Sequence, residues 1–402
     1  MSDPGFTPAS GDRPQWTPPA PLPQQQPPAT PDGGYASGPA PSPAGAPGIG
    51  TPPVAWPRFD PGLITGLPIE ERSHPFFYRT PRWRWWRPVV AAICVLVVAF
   101  VASLPIGIAG FVLDGVDLTK LTSMDDLKVG PWTFLANNVL LASTIVLAML
   151  GQWAFFGQRP GWLSSVVGHI RWGWLGRCVL IILPIWLVMI GLEYLIGGLP
   201  PEIHVRPYTV LMIAGILITT PFQAAGEEYL IRGLEQRLVA SYFKPGLLGW
   251  GIATLVSSLT FMALHGAGDV WLNIFYFAFG AAASWVTWKT GGLEAAIAIH
   301  AVNNLLSEAL MPFTDFSGMF DRKAGAGDPS GLIQVGVMVA AVVLLAWLGR
   351  RAGVAISSAP GRGDVDQALA QAAARWETTA WQPTAVPTSP APPNGWQPPQ
   401  RG

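Results

Sequence analysis

TVLMIAGILITTPFQAAGEEYLIRGLEQR, residues 209–237, decides how this chain is built. From 209 to 226 the stretch carries no charge and is mostly apolar, which reads as a membrane-spanning helix. It then sets two acids and an arginine, Glu227, Glu228 and Arg232, into the same run. An ionisable side chain at membrane depth costs a few kcal/mol, on the order of 2.5–3.5 on insertion scales, so each is a candidate for function. On a helix Glu228 and Arg232 stand four residues apart with the acid first, the favourable orientation for a pair. Glu227 points about 100° away from Glu228 and keeps no local partner, which suits a general base.

The composition carries this reading outward. The chain has 402 residues, with 24 Lys and Arg against 24 Asp and Glu. Charged residues make up 12% and hydrophobic residues 50%, and the mean hydropathy is +0.35. A charged share about half the usual ~25% cannot wet the surface of an ordinary soluble enzyme. The absence of a basic excess argues against a nucleic-acid binder, so no nucleic-acid partner is expected. The two cysteines, Cys94 and Cys178, exclude a disulfide framework or a Cys-rich metal centre and read as small buried hydrophobes. The opening MSDPGFTPAS lacks the basic and apolar regions of a secretory signal.

Eight apolar stretches approach or reach the ~20 residues needed to cross a bilayer. They lie near 89–112, 131–156, 175–199, 209–231, 247–264, 271–288, 292–311 and 332–348. The expected fold class is an all-α, polytopic membrane helix bundle of about eight spans with disordered Pro/Gly-rich tails. PRWRWWRP, residues 81–88, interleaves Arg and Trp before the first stretch, a membrane-interface pattern. Alternate loops are basic: Arg82, Arg84 and Arg87; Arg159, Arg171 and Arg177; Arg232, Arg237 and Lys244; Lys289; Arg350 and Arg351. The others carry Asp114, Asp117, Asp125, Asp126, Asp269 and Asp315, with Arg322 and Lys323 as the exceptions. The bias predicts an integral, multi-pass plasma-membrane protein with both termini in the cytoplasm.

Of the first 60 residues 17 are Pro, too many for a core, so an extended tail is expected. A Pro-recognising partner for this tail is the weaker reading. Residues 364–377, DVDQALAQAAARWE, read as a short amphipathic helix inside an otherwise disordered C-terminal tail. The domain plan is a disordered tail at 1–80, N-terminal membrane spans at 81–174, a catalytic membrane core at 175–311, a loop and last span at 312–351, and a second tail at 352–402.

Polar residues at membrane depth gather in the later stretches. SSLTFMALHGAG, 257–268, puts Phe261 and His265 on one helix face. A lone His at a helix end is usually structural. LEAAIAIHAVNNLLSE, 293–308, aims His300 and Asn304 into one volume, while Asn303 turns away and reads as interhelical hydrogen-bond glue. Glu294 and Glu308 are expected nearer the ends of that stretch. His74, His169 and His204 fall in loops, so the two histidines in spans both accompany the acid pair.

EEYLIR (227–232) fits EExxxR, FMALH (261–265) fits FxxxH and HAVNN (300–304) fits HxxxN. Each motif alone is weak. Together, in this order, they resemble the CPBP family of type II CAAX prenyl endopeptidases and bacteriocin-processing or lysostaphin-resistance-like membrane proteins, over roughly 175–311. The resemblance implies an intramembrane endopeptidase acting on membrane-embedded or lipidated peptides or proteins. Carried over, Glu227 activates the attacking water, His265 helps hold it, and His300 and Asn304 donate to the oxyanion. Glu228 and Arg232 brace the first motif. No cofactor is expected. The competing reading is a zinc site of Glu227, His265 and His300 with an open position, which no HExxH supports. Two other functions compete. One is a non-catalytic bacteriocin-immunity or scaffolding protein. The other, a proton-coupled transporter, is disfavoured because the polar residues occupy one half of the chain and no internal repeat is evident.

Overall fold

The computed structural model describes residues 66–120, 129–199, 203–315, 317 and 323–380. The tails at 1–65 and 381–402 lie outside the described residues. The helices are α1 (Trp86–Leu113), α2 (Pro131–Phe156), the single turn α3 (Gly161–Ser164), α4 (Trp172–Gly197), α5 (Thr209–Glu228), α6 (Gln236–Ala240), α7 (Leu247–Leu264), α8 (Val270–Thr290), α9 (Glu294–Ser307), α10 (Gly331–Arg351) and α11 (Arg362–Ala380). The segment Tyr229–Glu235 between α5 and α6 is π-helical, so 209–240 runs as one continuous rod.

Among the described residues seven helical segments are long and apolar enough to cross a membrane: α1, α2, α4, the α5–α6 rod, α7, α8 and α10. Their outward faces stay apolar, as at Leu96 and Phe100 of α1, which are 63% and 66% exposed. Such faces suit lipid, and the helical backbone satisfies its own polar groups. The expected seventh span, 292–311, is corrected. It forms α9, 14 residues or about 21 Å long, short of the ~30 Å hydrocarbon core. Residues 294–302 of α9 are all buried, so protein rather than lipid surrounds them and bilayer thickness does not set their length. α9 packs against α4, α5 and α8. Ala295, Ala296, Ala298 and Ala301 let those neighbours come close.

α9 nonetheless leads the chain from one face to the other. At its start, the Leu293 N–H donates to the Ser164 carbonyl at 2.9 Å, beside the beginning of α4. Beyond its end, the Pro312 carbonyl accepts from Thr209 Oγ1 at 2.7 Å, at the beginning of α5. The chain therefore alternates eight times, and both described ends emerge on the same face. There β1 (Arg72–Ser73) pairs antiparallel with β2 (Ser357–Ser358). Gly291 turns α8 into α9 with φ of +66°, where a Cβ would overlap the Ala355 carbonyl. On the opposite face Asp269 caps α8, accepting from the Trp271 and Leu272 N–H groups at 2.8 and 3.1 Å.

The basic bias needs one correction. Arg232 and Arg237 are completely buried, and Arg171 is largely so, so these three are internal struts rather than solvated loop charges. Arg171 grips Glu294 through Nη2 at 2.6 Å and Nε at 2.8 Å, and donates to the carbonyls of Thr290 and Ala355. This fork ties α4, α8, α9 and the segment after α10 at one end. Arg237 donates to the Trp162 carbonyl at 2.8 Å and to Gln152 Oε1 at 3.2 Å, and lies over the rings of Phe77 and Tyr78. His74, equally buried, donates through Nε2 to the Leu163 carbonyl at 3.0 Å. The expected helix at 364–377 is present within α11.

Two predictions follow from these struts. Glu294→Ala leaves the Arg171 charge without its fork and is expected to cost about 3–5 kcal/mol, read as a lowered midpoint in detergent melts followed by tryptophan fluorescence. Burial, aided by the nearby Arg237 charge, holds the His74 imidazole well below its usual value near 6.5. The folded chain keeps His74 neutral while the unfolded chain protonates it. Its contribution to stability is therefore full above about pH 6.5 and is lost as pH falls below that. Melts at pH 8 and pH 5.5 are expected to differ less for His74→Gln than for wild type.

Candidate active site

The π-helical segment sets up the site. Read from hydropathy alone, the span that holds Glu227 ends at Ile231. The rod instead continues to Ala240, which places Glu227 near its middle. Gly226 presses that region against α2, because a Cβ there would overlap the Leu141 carbonyl. A π turn inside a membrane helix is a feature concentrated at functional sites.

The two glutamates have separate surroundings. Glu228 is fully buried, and its Oε1 accepts from Arg232 Nη1 at 2.9 Å and from His300 Nδ1 at 2.7 Å. The Arg232 guanidinium lies 4.4 Å over the Phe261 ring, a cation–π contact that favours the buried charge. Glu227 instead lines a cavity of about 860 Å³ together with Gln223, His265, Tyr276, Asn304 and Glu308. Its Oε1 accepts from Gln223 Nε2 at 2.5 Å, and its Oε2 stands 3.7 Å from His300 Nε2. His300 is thus held between the two acids. A carboxylate oxygen can only accept from Nδ1, so Glu228 fixes that proton and turns Nε2 toward Glu227. His300 lies behind Glu227, outside the cavity lining, and its ring meets Phe279 edge-on at 4.9 Å.

His265 terminates α7. Its Nδ1 donates to the Phe261 carbonyl at 2.7 Å and its ring stacks on Tyr276 at 3.9 Å. These contacts fix the ring plane at the cavity wall. Asn304 donates through Nδ2 to Gln223 Oε1 at 3.0 Å. Asn303 accepts from Trp186 Nε1 of α4 at 3.1 Å, the interhelical tie that its position on α9 predicts, and donates through Nδ2 to Asn304 Oδ1 at 3.2 Å at the cavity wall.

Glu227, Glu228, Arg232 and His300 therefore form one contact group. Gln223 links Glu227 to Asn304, and His265 shares the cavity wall. The zinc alternative is not assembled: among the described residues no group of three or more His, Cys, Asp or Glu is arranged to hold a metal ion. His265 and His300 each donate Nδ1–H to a protein acceptor.

Sequence reasoning missed Gln223 and Glu308. Gln223 lies one helical turn before Glu227, and that four-residue spacing was a usable signal. Glu308, expected near a span end, is 7% exposed, and its Oε2 accepts from Thr220 Oγ1 at 2.6 Å. Asn138 of α2 donates to that same hydroxyl at 3.1 Å. This contact runs between α2, α5 and the end of α9, and spacing along one helix cannot reveal it.

Comparison with known proteins finds a family match over the segment that carries these residues. Residues 208–306 match the family described as Type II CAAX prenyl endopeptidase Rce1-like. A relative from Bacillus subtilis (strain 168), named Uncharacterized protein YyaK, is 32% identical over 102 residues, 24% of this chain. The match spans about a third, 33%, of that relative's length. No solved structure matches the chain. The matched segment contains the acid pair, both histidines and Asn304, so the chain carries, at residues 208–306, a domain of the Rce1-like type II CAAX prenyl endopeptidase family.

Proposed function

We propose that this chain is an intramembrane endopeptidase that hydrolyses peptide bonds of membrane-associated or lipidated peptides or proteins. The observation that carries the reading is the division of labour between the two acids. Glu228 is engaged with Arg232 and His300 behind the wall, while Glu227 faces the cavity. The family assignment of 208–306 supports it independently.

In this reading Glu227 takes a proton from water as the resulting hydroxide adds to the scissile carbonyl carbon. The carbonyl oxygen becomes an oxyanion. Asn304 offers an amide N–H to it from the cavity wall, and His300 braces Glu227 from behind. The His265 ring, with Nδ1 committed to Phe261, presents Nε2 as an acceptor that helps hold the water. The intermediate collapses, the C–N bond breaks, and the proton on Glu227 passes to the departing amine. Gln223 fixes the distance between base and oxyanion donor by bonding both. Domain limits of 81–174, 175–311 and 312–351 for the membrane body, and a cytoplasmic location for the shared face of both ends, belong to the same proposal.

Two measurements test it. Membrane-protein termini are compared in cells carrying wild type or Glu227→Gln, which is near-isosteric and keeps a partner for Gln223. New termini that require Glu227 are expected, with turnover falling by about 10²–10⁴-fold in the variant. Identical termini, with the variant folded and present, would favour the scaffold or immunity role. On a substrate found this way, Asn304→Ala is expected to lower kcat and kcat/KM together, by about 10²–10³-fold, as loss of an oxyanion donor does. A change confined to KM would move Asn304 from the chemistry to substrate binding.

A further inference from the structure

The cavity holds a second buried carboxylate that the hydrolytic scheme does not use. Glu308 lines the same cavity as Glu227 and is 7% exposed. Three other acids of this region have basic side chains against them. Glu228 has Arg232 and His300, Glu294 has Arg171, and Glu227 has His300 at 3.7 Å. Among the described residues no Lys, Arg or His forms an ion pair with Glu308. Thr220 supplies one hydroxyl to Oε2. The other oxygen, Oε1, has no hydrogen bond and is not among the enclosed atoms that lack a partner, so it opens onto the cavity. Glu235 makes the instructive contrast. It too is held by a single hydroxyl, from Thr260, but its remaining oxygen is enclosed by protein and it does not line the cavity.

The support behind Glu308 is built from three helices. Asn138 of α2 donates to Thr220 of α5, and Thr220 donates to Glu308 at the end of α9. Both donations run toward the carboxylate and fix its position. Among the described residues the lining includes Glu227 and Glu308 and neither Lys nor Arg. A cavity walled by one sign of charge draws the opposite sign, and a low-dielectric carboxylate rewards a cation that desolvates onto it.

We propose that Glu308 is the anionic wall of a substrate subsite that takes a primary ammonium or guanidinium group, so that a lysine, an arginine or a free amino terminus near the scissile bond selects the substrate. The inference rests on the peptide-binding reading of this cavity but not on its hydrolytic step. Glu308 touches substrate as a binding residue, and Thr220 and Asn138 act through it as positioning residues.

The test uses N-palmitoylated decapeptides, each with one lysine at a different position, and norleucine counterparts of equal length. Binding to the full chain in detergent is measured for wild type, Glu308→Gln and Glu308→Asp. Wild type is expected to hold the lysine form at least about tenfold tighter at one or two positions. Glu308→Gln, which still accepts from Thr220, is expected to erase that preference, and Glu308→Asp to retain part of it. Equal binding of lysine and norleucine probes to wild type overturns the proposal without reference to any variant. A lysine preference that survives in Glu308→Gln overturns it as well. Cleavage of the same probes is read separately: a preference without cleavage keeps the subsite and removes the hydrolytic reading.

Discussion

The Glu228 carboxylate holds this membrane body in its working arrangement. One of its oxygens accepts from Arg232, a helical turn further along the same rod, and from His300 on α9. Two elements distant in sequence are thereby locked at one depth. The interaction sits in a fully buried setting, where each member alone would be an uncompensated charge or an unpaired polar group. Together they neutralise each other, and the rotamer of His300 and the exposure of Glu227 to the cavity follow from that pairing.

The same constraint explains why α9 can be short. A helix facing lipid must match the hydrocarbon thickness, whereas one surrounded by protein has only to match its neighbours. α9 is enclosed by α4, α5 and α8, is lined with alanines, and is clamped at its first residue by the Arg171 fork. It carries His300 and Asn304 on its second and third turns, so the most constrained helix bears the groups that need fixed positions. The partner rod continues past Arg232 through the π-helical segment Tyr229–Glu235, so Glu227 lies near its middle.

Much of the site was legible because membrane burial makes charge conspicuous. Glu227, Glu228, Arg232, His265 and His300 stand out against apolar runs, and four-residue spacing paired Glu228 with Arg232 as the structure does. The roles of the arginines were less legible. Arg171 and Arg237 look like loop charges in a linear reading, yet both turn inward to carbonyls and side chains from segments far along the chain. Gln223 and the Asn138–Thr220–Glu308 relay escaped for a related reason. Their meaning lies in which helices touch, and neutral polar residues within apolar runs give no strong signal of their own.

The amino-acid sequence by itself determined that this is an all-helical membrane protein, where most of its spans lie, and which ionisable residues sit at depth. Hydropathy and helical period are local properties, and a bilayer punishes exposed backbone and stray charge severely enough to make them decisive. Only the tertiary structure decided that the seventh stretch is a buried short helix, that Arg171 and Arg237 are struts, that His300 bridges both acids, and that Glu308 opens onto the same cavity as Glu227. Each of those depends on packing between segments up to about a hundred residues or more apart, where contact is set by the shapes of several helices at once and by no single period along the chain.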